Sequence, residues 1–268
     1  MTCPHCDSKN TYSRQSKTDL GYQEYRCRAC GSQYNERTGT VFNYLEYPTE
    51  VVILVLWYYY DFKTSLDDVV RLMAQRGIEL SHQTVSNWAN AVGIEVALSF
   101  RHRRMGKAGN KWHADATYIK VSGRWCYFYR CIDKAGRLVD VYLSDTRDEA
   151  AATTFFQQCF DTTCVIPEQI TVDGEAAMSN AATTVFQGAA TVRNCKYKNN
   201  LIEQDHRGIK DWIRNKRWFK DPFAALTVCT IFEEVREHFK MSKRSRAERR
   251  GRHAANFQQF CDIAQNVA

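Results

Sequence analysis

Lys111-Trp112-His113-Ala114-Asp115-Ala116-Thr117-Tyr118-Ile119-Lys120-Val121 is the stretch on which the fold turns. It is rich in β-branched and aromatic residues, which suit a pleated, half-buried surface. Ser122-Gly123 ends it as a turn. Arg124–Asp133 and Leu138–Ser144 have the same character and are separated by Lys134-Ala135-Gly136, so three hairpin-connected strands are predicted. Beyond them the pattern alternates. Residues 146–164 read as a helix, Gln169–Val172 as a short buried strand, 175–186 as a helix and 191–193 as another short strand. Residues 201–216 and 223–240 read as helices. The order β-β-β-α-β-α-β-α predicts a mixed α/β domain over 111–240.

Working outward towards the N-terminus, residues 99–110 form a basic linker, with Arg101, Arg103, Arg104 and Lys107 interrupted by Gly106 and Gly109. Before it, 41–98 reads as helical. Pro48-Thr49-Glu50 opens an apolar run, with Thr49 as the expected cap. The run from Val51 through Tyr60 is too short to span a bilayer and reads as a buried helix. Ser65-Leu66-Asp67-Asp68 is a second helix start, a serine with an acid three residues on. Gly77 ends that helix and Ser81 starts a third. Helix, glycine-containing turn, helix is the helix-turn-helix outline. Gln83, Ser86 and Asn87 then lie near the start of a recognition helix, where short polar side chains reach base edges. A small bundle that merely packs against its neighbours is the plainer alternative.

Residues 1–40 carry Cys3-x-x-Cys6 and Cys27-x-x-Cys30. Two such knuckles supply the four thiolates of a tetrahedral structural zinc site. Tyr22, Tyr25 and Tyr34 around them are strand formers suited to a zinc ribbon. His5 is a solvated bystander on this reading. The chain has 11 cysteines, an odd number, and no apolar leader at its start, which argues against a secreted disulfide framework. The remaining seven are expected to be buried small hydrophobes. A soluble, cytoplasmic protein is the expectation, with no membrane partner. The formal net charge of +7 over 268 residues favours a polyanion as partner. Lysines and arginines recur at 241–268, a basic C-terminal tail that either contacts phosphate or forms a solvated helix face.

Three acids stand out by context. Asp115 interrupts a strand, Asp173 ends the buried strand Ile170-Thr171-Val172 before Gly174, and Glu203 opens a helix. Carboxylates from such places can converge and hold two magnesium ions, with manganese as the substitute, for phosphoryl transfer. Each acid alone reads equally as a turn residue or an ion-pair partner. Lys210 and Arg207 follow Glu203 on the same helix face, where they suit a DNA phosphate. His113 and His206 flank acids and read either as DNA contacts or as structural groups.

The strings Asp115-Ala-Thr-Tyr-Ile-Lys-Val, Tyr127-Phe-Tyr-Arg-Cys-Ile-Asp-Lys134 and Asn199-Asn-Leu-Ile-Glu-Gln-Asp-His-Arg207 resemble the DDE transposases of the IS-six insertion-sequence family. Ser65 to Trp88 also resembles that family's helix-turn-helix. The resemblance implies an RNase H-like catalytic domain that cuts and joins DNA at the ends of a mobile element. It implies Asp115, Asp173 and Glu203 as the catalytic triad and Lys210 as the basic residue two turns after the glutamate. It further implies terminal-repeat and target DNA as partners, at least a dimer in the active complex, and a nucleoid-associated bacterial or archaeal protein. Rival expectations are a non-catalytic DNA-binding regulator and a nuclease of the same fold that does not join strands. Three positions depart from the family pattern. Ala116 stands where a glutamate is usual, Gly174 where a lysine is common, and 29 residues separate Asp173 from Glu203, a few fewer than usual.

Overall fold

In the computed structural model, residues 1–195, 200–215, 219–239 and 246–265 are described. Three short strands open the chain: β1 (Thr11–Lys17), β2 (Gln23–Cys27) and β3 (Gln33–Tyr34), in one antiparallel sheet. Helices α1 (Thr49–Tyr60), α2 (Leu66–Ala74) and α3 (His82–Arg104) follow. Strands β4 (Lys111–Val121), β5 (Arg124–Asp133) and β6 (Leu138–Ser144) then form the antiparallel part of a second sheet. Next come α4 (Glu149–Thr163), β7 (Gln169–Val172), α5 (Ala176–Val185), β8 (Thr191–Asn194), α6 (Asn200–Asn215), α7 (Pro222–His238) and α8 (Arg246–Gln265).

The larger sheet has the order β6-β5-β4-β7-β8. β7 lies parallel to β4 and β8 parallel to β7. This is an RNase H-like sheet, and its helices cover both faces. On one face Trp112, Ala114 and Ala116 of β4 meet Phe155 and Phe156 of α4 and Ala181 and Ala182 of α5. Side chains alternate along a strand, so Ile119 and Val121 point to the other face. They join Ile209 and Trp212 of α6 and Phe232 of α7. Asp115 shares that second face.

The helix starts follow their sequence signals where the cap is local. Ser65 and Asp68 form a reciprocal capping box, and Ser81 accepts from the Thr84 amide. α1 differs. Its N-cap is Pro48, whose ring offers no hydrogen-bond acceptor, and Thr49 is already helical. The free Thr49 amide instead donates to the Tyr22 hydroxyl of the N-terminal module at 2.8 Å. Arg37, buried, donates to the carbonyls of Phe42, Leu45 and Tyr47. The N-terminal sheet is therefore bonded to the first helix rather than tethered to it.

Two stretches differ from expectation. The first half of the basic linker at 99–110 is the end of α3, and two of its arginines, Arg101 and Arg104, are structural. Arg104 pairs with Glu234 at 2.7 Å and Arg101 reaches the same carboxylate at 3.2 Å. Asp140 is the second acid that Arg101 bonds. The expected tail holds α8, whose Phe260, Ile263 and Ala264 are buried in the core with Trp57 and Phe100. Apolar spacing in its second half outweighs the basic run in its first. Residues 240–245 of that run lie outside the described residues. Of the seven scattered cysteines, Cys126, Cys131, Cys159 and Cys229 are buried, while Cys164 is exposed and Cys195 and Cys261 are half-buried. Among the described residues, no helix is long and apolar enough to cross a membrane.

Candidate active site and zinc-type thiol cluster

The four N-terminal cysteines meet. Their sulfurs all lie within 4.8 Å of one another, with Cys3 Sγ to Cys30 Sγ at 3.7 Å and Cys6 Sγ to Cys27 Sγ at 3.6 Å. A tetrahedron built on Zn–S bonds of ~2.3 Å has edges of about 3.8 Å. A disulfide requires ~2.05 Å. The Ala29 amide points at Cys27 Sγ from 3.3 Å. Backbone N–H groups of Cys30 and Ala29 draw the Cys27 thiol below its ordinary range. The Ser32 hydroxyl and amide do the same for Cys30. Such groups favour thiolates, the form a metal binds. The donor set fits zinc, and four thiolates leave no position open for water.

The second site is a cleft of about 490 Å³ lined by Asp115, Asp173 and Glu203, with Arg147, Arg207 and Lys210 at its rim. Each side chain arrives by a separate route. Asp115 sits mid-strand in β4, Asp173 leaves the end of β7, and Glu203 stands in the first turn of α6. Gly174, next to Asp173, has φ +65°, a left-handed turn that glycine adopts without strain. The lysine usual in the family would be strained there. Ala116 directs its side chain into the opposite core with α4 and α5, so the glutamate absent there takes nothing from the three acids of the cleft. The residues of the family string at 199–201, 204 and 205 lie outside the described side chains. Glu203, His206 and Arg207 are described.

The cleft sets three carboxylates against three cations, Arg147, Arg207 and Lys210. Asp115 is pushed up to about 6, first by burial, with the Asp173 and Glu203 charges adding to it; the Ala116 amide and Arg147 act in the opposite sense. Asp173 Oδ1 is buried and accepts no hydrogen bond among the described residues. A buried carboxylate oxygen left bare is costly unless something else binds it. Hard divalent cations take carboxylate oxygens of this kind, so the residues fit the metal. The carboxylates are less tightly gathered than the thiols, and share the cleft without forming a comparable cluster.

His206 is buried, with Nδ1 3.5 Å from Asp115 Oδ2. Burial lowers its pKa to about 3, and the charges of Arg130, Lys210 and Arg236 add to that. It is therefore a neutral imidazole at pH 7, lodged between α6 and the sheet rather than facing outward. Arg130, opposite Asp115 in β5, is fully buried against Glu233 at 2.7 Å. Gln83 and Asn87 lie exposed on α3 and bond each other at 2.7 Å, and Ser86 is half-buried. Arg147 is the cleft residue that sequence reasoning missed. It precedes the Asp148 N-cap of α4, bonds Glu175 at 2.9 Å and the Tyr118 hydroxyl at 3.1 Å, and faces the carboxylates.

Comparison with known proteins now decides the family. A family model described as a DDE domain matches residues 109–242. The transposase for insertion sequence-like element IS431mec of Staphylococcus aureus (strain N315) is 31% identical over 208 residues, covering 76% of this chain and 91% of that protein. This chain belongs to the DDE transposases of the IS-six family. The transposase for insertion sequence element IS257 in transposon Tn4003, also from Staphylococcus aureus, is similar to the same extent. Among solved structures, the HTLV-2 integrase catalytic core domain in complex with magnesium (dimeric form) is 16% identical, with a TM-score of 0.40. The match covers 53% of this transposase and 97% of that chain. As a member of that family, the transposase is a DNA-cleaving and strand-transferring enzyme.

Proposed function

We propose that Asp115, Asp173 and Glu203 are the metal-binding catalytic triad of this transposase, and that they hold two magnesium ions, which manganese can replace. The bare, buried Asp173 Oδ1 in a three-carboxylate cleft is the observation that carries the assignment. When bound, the two ions supply Lewis-acid stabilisation of the attacking and leaving oxygens in an in-line displacement. The chain's own residues do the rest. Lys210 and Arg207 hold the scissile phosphate against the carboxylates. Neutral His206, with Nδ1 3.5 Å from Asp115 Oδ2, packs beside that carboxylate. Water attacks the phosphodiester at the element end, the P–O3′ bond breaks, and a 3′ hydroxyl is released. That hydroxyl then attacks a target phosphodiester, joining one strand while freeing another. No protein–DNA covalent bond is required.

The modules divide as 1–40 zinc ribbon, 41–98 helix-turn-helix and 111–240 catalytic domain, with the ribbon's thiols holding structural zinc. Gln83, Ser86 and Asn87 on α3 read base edges of the terminal repeats. Two element ends require two active sites, so the working enzyme is a dimer or larger, acting on cytoplasmic, nucleoid DNA. The test is a cleavage and joining assay on duplex carrying the element's own ends, with and without magnesium. Asp173→Ala should lose both nicks and strand-transfer products by roughly 10³-fold, since several kcal/mol of transition-state stabilisation depend on the metal. Full activity in that variant overturns the assignment.

A further inference from the structure

The sheet that carries Asp115 continues past the helix that covers it. β4 and β5 are antiparallel, with Ala116 opposite Tyr129, Tyr118 opposite Tyr127 and Lys120 opposite Trp125. Directly opposed residues project to the same face. At the first of these pairs the face is buried under α4. At the next two the cover ends. Tyr118 is 50% exposed and Trp125 57% exposed. Their rings meet edge to face at 6.4 Å, and Tyr118 also packs on Tyr127 at 5.2 Å.

Cations surround these rings. Lys120 Nζ lies 5.9 Å from the Trp125 ring centre, and the Arg147 guanidinium 5.8 Å from that of Tyr118. Arg124, exposed, borders Trp125 in the chain. The acids nearby are already committed. Glu175 is bonded to Arg147, Asp148 caps α4, and Asp145 reaches Cys126 on the opposite face of the hairpin. Single exposed aromatics are ordinary on protein surfaces. A contiguous aromatic surface edged by cations is the composition that binds unpaired nucleic acid, with rings for bases and charges for phosphates.

Position supplies the rest. Tyr118 and Arg147 line the same cleft as the three carboxylates. Tyr118 lies three positions beyond Asp115 in β4, about 10 Å along the strand and on the other face of the sheet, where the cleft opens around the strand edge beyond β7. A strand whose phosphate sits at the carboxylates must pass this surface or leave on the opposite side.

We propose that Tyr118, Lys120, Trp125 and Tyr127, edged by Arg147, form a stacking platform for unpaired nucleotides of the DNA strand leaving the catalytic cleft. The assignment rests on the cleft holding the scissile phosphate, as argued above, but its test is separate. Full-length protein is titrated in magnesium-free buffer with a labelled, short oligothymidylate and, in parallel, with a blunt duplex. Anisotropy gives affinity, and tryptophan emission reports stacking. Trp125→Ala and Tyr118→Ala should each weaken oligothymidylate binding roughly 5- to 100-fold, the range for loss of one base–aromatic stack. Blunt-duplex affinity should stay within about twofold, because paired bases present no free face. Trp125→Phe should restore most of the affinity while removing the thymine-induced quenching of Trp125. Both rings are half exposed and outside the core, so the variants should fold, which thermal melting checks.

Unchanged oligothymidylate affinity and quenching overturn the platform. Equal losses on single-stranded and duplex DNA overturn it too, since the surface then discriminates nothing unpaired. Loss of self-association in Trp125→Ala with oligothymidylate binding intact would assign the surface to a second copy of the chain, and so refute it. Asp173→Asn should bind oligothymidylate as the parent does while failing to cleave, so the two proposals fail on different measurements.

Discussion

Asp115 stands in a partly dry cleft with two other carboxylates, and folding forces that crowding on it. Its raised pKa is a statement about stability as well as function. Below the ordinary aspartate range it is protonated in both folded and unfolded chains and costs nothing. As pH rises through about 6 the folded protein must ionise it, and stability is lost. A shift of about two units corresponds to ~3 kcal/mol. Asp115→Asn is therefore expected to raise the melting temperature by several degrees at pH 8 in magnesium-free buffer, and to leave it unchanged near pH 3.5. Magnesium should stabilise the parent above pH 6 and have little effect on the variant, which should also fail to cleave DNA. Differential scanning calorimetry across pH checks all three. An Asp115→Asn protein that melts with the parent at pH 8 refutes the crowding argument. Asp115 could be found in the sequence because an acid interrupting a buried strand breaks the pattern around it. Arg147 could not, because nothing in Asp145-Thr146-Arg147-Asp148 says that this turn closes over the carboxylates. That fact belongs to the crossover from β6 to α4.

At the scale of the element, α3 shows why charge patterning misleads. Arg101, Arg103 and Arg104 read as a polyanion-seeking linker. The structure divides them by helical phase: Arg103 is exposed, while Arg104 turns inward to Glu234 and to the carbonyls of Leu138 and Val139. Breaking a buried pair by removing one partner leaves the other charge uncompensated, at about 3–5 kcal/mol. Arg104→Ala should lose that much stability in urea unfolding, whereas Arg103→Ala should stay within about 0.5 kcal/mol of the parent. Equal, small effects would mean that both side chains serve the solvent. The partner of Arg104 lies 130 residues away in the chain, and no local pattern announces a pairing at that range. Helix starts with a local cap, Ser65 and Ser81, were legible for the opposite reason: the partner is three residues on. α1 was misjudged at its start because its cap, the Tyr22 hydroxyl, comes from another module.

On the scale of the whole molecule, the chain order of strands and helices follows from runs of residues that the sequence displays openly. The extent of the core does not. One hydrophobic cluster runs from Phe42 through α1 and α3, across the sheet face with α6 and α7, and into α8. The helical region at 41–98 and the mixed α/β domain thus share a core, which couples α3 to the sheet that holds Asp115. α8 closes that core. Trp57 lies between Phe239, Phe257 and Phe260, with ring centres 5.1–5.5 Å away. The basic residues that begin α8 disguise this role, because net charge dominates a reading of its first turns. If α8 were a tail, replacing Phe260 would be silent. As a core element it should cost about 3–5 kcal/mol in Phe260→Ala, the loss of a buried aromatic plus the cavity left beside Trp57 and Phe100. Urea unfolding followed by Trp fluorescence gives the number. Phe257→Ala, at the half-buried rim of the same contact, should cost less. The order of those two losses separates packing from a general intolerance of α8 to change. Because Phe100 lies on α3, Phe260→Ala should also loosen the helix carrying Gln83 and Asn87, and hydrogen exchange in α3 should rise together with that in α8.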